Sequence, residues 1–354
     1  MSGVKRYAHI FPPYLNARKI TNALLAHTEM TLGSAKLKSK PYILRLETTN
    51  VCNLHCPGCA TGLGINPYPP TFFQPQVLAD LLDVISQELL LVRFDGLGEP
   101  LLHPEICQMI SIAHRAGIAT MLSSNFSLSL VRNGTLEDLI SSGLDHLIVS
   151  IDGPTQETYQ KYRRGGNLDQ VLENVRNLVA LRMARKSRKP FIEIQFIGFD
   201  YTRTEAVNMP PLAKQLGVDR LTLKMMDEKV RQERFAKDFI GQRCFYLYNT
   251  TTIACDGRLL LCPNGFIDQP KLPNIEKQGI NSLSNNHSLQ IAVRAFLASS
   301  RETSYISCEL GNPVDKNIPW RTPRGPSNCR CLSCAGPGMC ADRNKAWFDN
   351  YVCT

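Results

Sequence analysis

The stretch YILRLETTNVCNLHCPGCATG, residues 42–62, joins a strand-like run to three cysteines within eight positions, Cys52, Cys56 and Cys59, spaced C-x-x-x-C-x-x-C. The β-branched and apolar residues of YILRLETT (42–49) favour a strand. The same kind of run recurs downstream as LVRFDG (91–96), IATMLSS (118–124), HLIVSID (146–152), FIEIQFIGF (191–199) and RLTLKMM (220–226). Between these lie amphipathic segments: QVLADLLDVISQELL (76–90), PEICQMISIAHRAG (104–117), TLEDLISSG (135–143) and LDQVLENVRNLVALRMARK (168–186). A further helix near TEAVNMPPLAKQLG (204–217) is expected to be short or offset, because Pro210 and Pro211 interrupt it. Six βα units in succession predict an α/β fold around a parallel sheet, closed or open. No Gly-rich dinucleotide fingerprint follows the first strand, which argues against a doubly wound dehydrogenase.

Polar motifs stand where the strands end: the cysteines after the first, GLGEP (96–100) after the second, SSN (123–125) after the third and SIDG (150–153) after the fourth. In a barrel those ends share one mouth, where chemistry is placed. After about residue 230 the rhythm stops. The tail carries nine of the thirteen cysteines, with SLQIAVRAFLASS (288–300) as its best helix. So irregular a stretch is expected to be fastened by metal. The chain therefore divides into a basic extension (1–40), a core (41–230) and a cysteine-rich domain (231–354).

Of the 354 residues, 43% are hydrophobic and 20% charged, a globular composition. No apolar run approaches bilayer length and the N-terminus lacks a signal-peptide pattern, so a cytoplasmic protein is expected. Thiols recurring at short spacings in a reducing compartment read as metal ligands. Cys107, standing alone, reads as a small buried hydrophobe. The net charge is +9, and residues 1–40 hold seven lysines and arginines against Glu29 alone. Such an arm suits a solvated face, an acidic partner or a peripheral contact with an anionic membrane. NARKITNALLAHTEM within it has helical spacing and suits docking onto the main domain. No basic stripe is interleaved with aromatics, so nucleic acid is not an expected partner.

Three thiolates from one loop do not saturate a tetrahedral zinc site without a fourth ligand, although a structural zinc loop remains the alternative. A [4Fe–4S] cluster held by three thiolates keeps one iron open to a small chelating molecule. The C-x-x-x-C-x-x-C loop with GEP after strand two resembles the radical S-adenosylmethionine (SAM) enzymes over roughly residues 41–230. That resemblance implies a partial (β/α)6 TIM-like barrel, SAM chelated at the open iron, and reductive cleavage to a 5′-deoxyadenosyl radical that abstracts a substrate hydrogen. Cys52, Cys56 and Cys59 match the cluster ligands. Gly98, Glu99 and Pro100 match the segment that contacts the SAM amino group; Glu99 is suited to being held by local structure while backbone groups make the contact. Ser123, Asn125, Ser150 and Asp152 stand where family members bind the ribose and methionine ends, and Arg164 in KYRRGG where a cation meets the SAM carboxylate. The family often has an aromatic residue before the third cysteine; here it is Gly58, so adenine packing falls to other residues such as Phe196 or Ile197.

The tail resembles the SPASM extension that binds auxiliary iron–sulfur clusters: Cys244, then Gly257-x4-Cys262, then Cys331-x2-Cys334-x5-Cys340, and Cys353. The cysteine expected four residues after Cys340 is replaced by Asn344. Two readings stay open. In one, Cys331, Cys334, Cys340 and Cys353 hold one cluster, while Cys244, Cys262 and, as an additional candidate, Cys255 hold another. In the other, a twitch-type tail, Cys244, Cys262, Cys331 and Cys334 share a single cluster. Cys308 and Cys329 are spare, and a zinc ribbon is a structural alternative. Auxiliary clusters suit removal of an electron from a substrate radical, hence an oxidation. Relatives act on peptides and on polyols or aminocyclitols. About 40 residues precede the first strand, too few for a leader-binding domain, which favours a small or carbohydrate-like substrate over a peptide or lipid. A reducing partner such as flavodoxin or ferredoxin is implied. No general base stands out; Asp256 and Asp342 are acidic, but a loop Asp usually serves a turn. An iron–sulfur electron carrier is the non-enzymatic alternative, and would need neither GEP nor the ribose-end residues.

Overall fold

The computed structural model describes residues 6–57, 59–66, 68–130, 134–225, 245–260 and 274–275. Cys244, Cys262, Cys331, Cys334, Cys340 and Cys353 lie outside these residues, as do Gly58, Asp342 and the helix expected at 288–300. In chain order the principal elements are α1 (Ala17–Leu32), β1 (Ile43–Leu46), α2 (Pro75–Ile85), β2 (Leu91–Phe94), α3 (Ile106–Arg115), β3 (Ala119–Ser124), α4 (Thr135–Ser141) and β4 (His146–Ser150). They continue with α5 (Gln156–Tyr162), α6 (Leu168–Ala184), β5 (Phe191–Gly198), α7 (Met209–Leu216), β6 (Arg220–Met225), α8 (Phe245–Asn249), β7 (Thr250–Ile253) and β8 (Leu259–Leu260). Two compact units result: Met1–Tyr14, Leu46–Ser86 and Leu90–Asp227 make one, and Leu15–Arg45, Gln87–Leu89 and Glu228–Thr354 the other.

The first unit is a mixed α/β structure on a parallel sheet, consistent with a partial TIM-like barrel. Its strands run in the order β6-β5-β4-β3-β2. Register pairs Phe94 with Leu122, Ser123 with Ile148, Ser150 with Gln195 and Ile197 with Lys224, so the strands' C-terminal ends gather on one side. All six strands lie where the alternating sequence pattern places them. The helices start where local chemistry permits. Pro75 opens α2 in the first turn, where a missing N–H is no loss. Asn167 caps α6, its side chain accepting from Gln170 N, and the helix buries Val171, Leu172, Val175, Leu178 and Val179 on one stripe. Each such burial contributes roughly 1.5–3 kcal/mol. Pro210 and Pro211 fall at the start of α7, behind a 3-10 turn at Thr204–Asn208, so that helix is short and delayed as expected. Helix α5 was not among the expected elements. It carries a Thr155–Thr158 capping box and is seven residues long, too short to show a period.

Within the second unit, α1 is capped by Asn16, whose Oδ1 accepts from Lys19 N at 2.9 Å, and ends at Gly33 in the left-handed region. Glu29, buried, accepts from Lys38 N at 2.6 Å and Ser39 Oγ at 2.6 Å. Arg18 and Lys40 both face Glu88, at 2.6 and 3.6 Å. The basic stretch is thus not one free charged surface. β7 and β8 form an antiparallel hairpin through Asp256-Gly257, with Gly257 at φ 81°. Asp256 accepts from Arg258 Nε at 2.5 Å, which gives it the role of a turn residue. Among the described residues no helix is long and apolar enough to cross a membrane.

Candidate radical site

The three cysteines sit on the loop after β1, and two glycines of GLGEP let the next loop close on it. A Cβ on Gly98 would lie 2.1 Å from Thr49 O and 2.8 Å from Val51 O, and one on Gly96 2.7 Å from Glu47 Cγ. Only glycine permits that approach. The contact is fastened by Glu99 N donating to Val51 O at 2.8 Å and Leu97 N to Glu47 Oε1 at 3.0 Å. Within the cysteine loop, Cys59 N donates to Cys56 O at 3.1 Å. A Cβ on Gly62 would meet Cys56 N at 2.5 Å, so the loop turns back tightly on its middle cysteine. Asn50 ties the loop's start to the following segment: its Oδ1 accepts from Thr71 N at 2.8 Å and its Nδ2 donates to Pro69 O at 2.9 Å.

Glu99 is fully buried and acts as a hub. It accepts from Ser124 Oγ at 2.7 Å, Asn125 N at 2.7 Å and Leu101 N at 3.1 Å. Burial pushes its carboxyl up, and these donors pull in the opposite direction. Asn125 Nδ2 donates to Asn53 Oδ1 at 2.9 Å and stands 3.9 Å from Cys52 Sγ; Asn53 Nδ2 in turn donates to Ser127 O at 2.8 Å. One network therefore joins the ends of β2 and β3 to the cysteine loop. Asn53 and Ser124, both members, carry no sequence signal beyond their neighbours. On β3 it is Ser124 that turns to Glu99, while Ser123 is half-buried on the opposite face, in register with Ile148.

A second arm comes from the end of β4. Asp152, fully buried, accepts from Arg163 Nε at 2.5 Å and Ile197 N at 2.8 Å. Gly153 allows α5 to begin beside it, since a Cβ there would lie 2.3 Å from Tyr159 N. Burial opposes the charge of Arg163, but Asp152 and then Cys56 hold its pKa well above the ordinary value. Arg163 is thus the guanidinium drawn toward the cluster loop. Arg164, the cation singled out in KYRRGG, is exposed, and its carbonyl accepts from His55 N at 2.9 Å. The physical reason is helix geometry: Tyr159 and Tyr162 face the core, and Arg163 at the C-cap follows them inward. Ser150 is buried beside Gln195 at the end of β4. Of the two adenine-packing candidates, Phe196 is fully buried and only Ile197 keeps exposed surface.

The thiols suit an iron–sulfur cluster. Burial pushes the Cys52 thiol up to about 12 and that of Cys56 up to about 11, each also raised by its neighbouring cysteines. Metal must displace those protons, and cluster iron does so. Leu54 N points at Cys52 Sγ at 3.4 Å, a donor that favours a thiolate. Among the described residues no group of His, Cys, Asp or Glu is set to grip a single metal ion. Cys107, expected buried, is half-buried, with its thiol pushed up to about 12 by desolvation. Cys255 is buried beside the hairpin turn.

The inner face of the strands carries a polar cluster among apolar residues such as Ile148 and Phe191. Glu193, fully buried on β5, accepts from His146 Nε2 at 3.0 Å, Thr222 Oγ1 at 2.5 Å and Arg6, which enters from the N-terminal segment. Burial alone would raise its pKa, but His146 and Arg6 hold the carboxyl down at about 2. Burial lowers the pKa of His146 against the pull of Glu193, and among the described residues its Nδ1 has no hydrogen-bond partner.

A strand-end cysteine loop braced by GEP on a parallel α/β sheet is the arrangement a radical SAM domain presents, and residues 46–192 match the Radical SAM superfamily. The PqqA peptide cyclase of Gluconobacter oxydans is 28% identical over 187 residues, covering 53% of this chain and 50% of that protein. The GTP 3′,8-cyclase of Limosilactobacillus fermentum is 30% identical over 146 residues, covering 40% and 43%. The chain thus spans about half the length of the curated relatives it matches. Among solved structures, Streptococcus suis SuiB bound to S-adenosylmethionine superposes with a TM-score of 0.58 at 15% identity, over 78% of this chain and 72% of that one, a likeness of fold. The superfamily implies SAM and a [4Fe–4S] cluster.

Proposed function

We propose that this protein is a radical SAM enzyme that removes a hydrogen atom from a polar, small or carbohydrate-like substrate in the course of its oxidation. The observation that carries the radical chemistry is the joining of the Cys52–Cys59 loop to Gly98–Pro100 and Asn125 by backbone and side-chain bonds. When bound, the cluster and SAM supply one-electron cleavage of a sulfonium C–S bond and a 5′-deoxyadenosyl radical. The chain's own residues then have separate tasks. Cys52, Cys56 and Cys59 hold the iron. Gly98 brings the GEP backbone against the loop, with Glu99 keeping it there and Pro100 buried behind it. Asn125, Ser150 and Ser123 offer polar groups along the strand ends. Arg163, held by Asp152 and acting on the Cys56 thiol through its charge, is the cation assigned in this proposal to the SAM carboxylate.

The charged inner face, with Arg6, Glu193, Gln195 and Lys224, supports the polar substrate. A peptide substrate is the second reading, favoured by the match to PqqA peptide cyclase. Auxiliary clusters at Cys244, Cys262, Cys331, Cys334, Cys340 and Cys353, a flavodoxin- or ferredoxin-type reductant and a cytoplasmic location belong to the same proposal. Anaerobic incubation with SAM and a reductant tests it. 5′-Deoxyadenosine should form with the native chain and vanish in Cys56→Ala. No SAM cleavage by an iron-loaded native protein would overturn the proposal in favour of an electron carrier. Stimulation of cleavage by a peptide pool but not by a metabolite extract would reverse the substrate class.

A further inference from the structure

Most cations of the inner face have an anion in contact. Arg6 and Arg220 share Glu193, Arg93 reaches Asp95 at 2.5 Å, and Arg163 holds Asp152. Lys224 differs. Its Nζ donates to the neutral amide oxygen of Gln195 at 2.7 Å, and that oxygen already accepts from Arg6 Nη2 at 3.0 Å. Among the described residues no carboxylate pairs with this ammonium, although Glu193 and Asp152 exert a longer-range pull.

Its position is equally specific. Lys224 is the penultimate residue of β6, in register with Ile197. Ile197 N donates to Asp152, and Asp152 holds Arg163, whose charge acts on the Cys56 thiol. The amine therefore stands on the same face as Ile197, one residue before the end of its strand. Burial first, and then Arg6, bring its pKa down to about 6, with Arg93 acting in the same sense. Arg6 and Arg220 already share one carboxylate and Lys224 contacts only a neutral amide, so an anion reaching this amine would favour its protonated form and be held by a charge-assisted hydrogen bond, stronger in this partly desolvated setting than in water.

We propose that Lys224 anchors an anionic group of the substrate, a carboxylate or a phosphate, and so holds the rest of that molecule toward the Cys52–Cys59 loop. The identification of the anion's owner as substrate rests on the radical SAM reading; the binding of an anion does not. The test is competitive amine labelling of the full-length, anaerobically purified protein, read by peptide mass spectrometry. Exposed Lys214 serves as the internal reference, and ionic strength is held with chloride. Inorganic phosphate or acetate should slow labelling of Lys224, relative to Lys214, by about fivefold or more once the anion is well above its Kd. Protection by phosphate alone assigns a phosphorylated substrate, and protection by acetate alone a carboxylate. Equal labelling with and without both anions would overturn the proposal. So would absence of labelling at every pH up to 9, since an unreachable amine cannot meet a substrate. Protection without 5′-deoxyadenosine formation would leave the anion site standing and remove the radical reading; the opposite result would do the reverse.

Discussion

Replacing Glu99 by Gln tests whether this carboxylate braces the site through its acceptors. Both oxygens are used: Oε1 accepts from Ser124 Oγ and Leu101 N, and Oε2 from Asn125 N. A glutamine keeps the shape but turns one oxygen into an NH2. If that group takes the place of Oε2, it faces the Asn125 N–H. If it takes the place of Oε1, Ser124 can rotate to accept, but the Leu101 N–H loses its partner. In either orientation one buried backbone donor is stranded, at a cost of about 1–3 kcal/mol. Relief of the buried charge offsets part of this, since burial already raises the Glu99 carboxyl. Hydrogen exchange by mass spectrometry on the peptides holding Leu101 and Asn125 reads the loss directly. One of those amides should exchange faster by about fivefold to about 150-fold, the factor equivalent to that energy. Because Asn125 also reaches Asn53 and stands near Cys52, iron content after anaerobic purification should fall with it. Unchanged exchange at both amides would refute the claim that Glu99 holds the two strand ends together.

Three further outcomes follow from the same geometry. Gly98→Ala should strip the cluster, because its methyl carbon would sit 2.1 Å from Thr49 O; overpacking costs about 1–3 kcal/mol or more, and an iron assay with a thermal melt checks it. Arg163→Met leaves Asp152 buried without its cation and should cost about 3–5 kcal/mol, more than Arg164→Met at the neighbouring exposed position in the same melts. Glu193 titrates near 2 in the folded chain against an ordinary 4.5, so its stabilisation is present above 4.5 and is lost as pH falls toward 2. That loss is about 3 kcal/mol, and in Glu193→Gln the melting temperature should vary less with pH across this window.

The strands were legible because each is a short apolar run bounded by turn residues, and the site because the strand ends carry its cysteines and glycines. Helix α5 and the β7–β8 hairpin were not read. The hairpin did have a signal, Asp256-Gly257 between TTTIAC and RLLL, a turn dipeptide flanked by strand formers. The choice between Arg163 and Arg164 could not be made from spacing, since neighbouring residues on a helix end differ by about 100° in direction. Which one turns inward depends on the two tyrosines that anchor α5.

The N-terminal segment shows the same limit in a different way. Its cations could be counted from the sequence, but their destinations follow from partners far along the chain: Arg6 goes to Glu193, 187 residues away, and Arg18 to Glu88. Arg6 then acts on the chemistry at a distance. By taking up Glu193 and one lone pair of Gln195, it leaves Lys224 with a neutral acceptor and, among the described residues, no contacting anion. A residue read as part of a solvated basic arm thereby sets the charge balance of the inner face. Arg6→Met should consequently free Gln195 and Glu193 toward Lys224, raise the pKa of that amine, and slow its labelling at pH 7 relative to Lys214. Unchanged labelling would mean that Arg6 and Lys224 are not electrostatically joined.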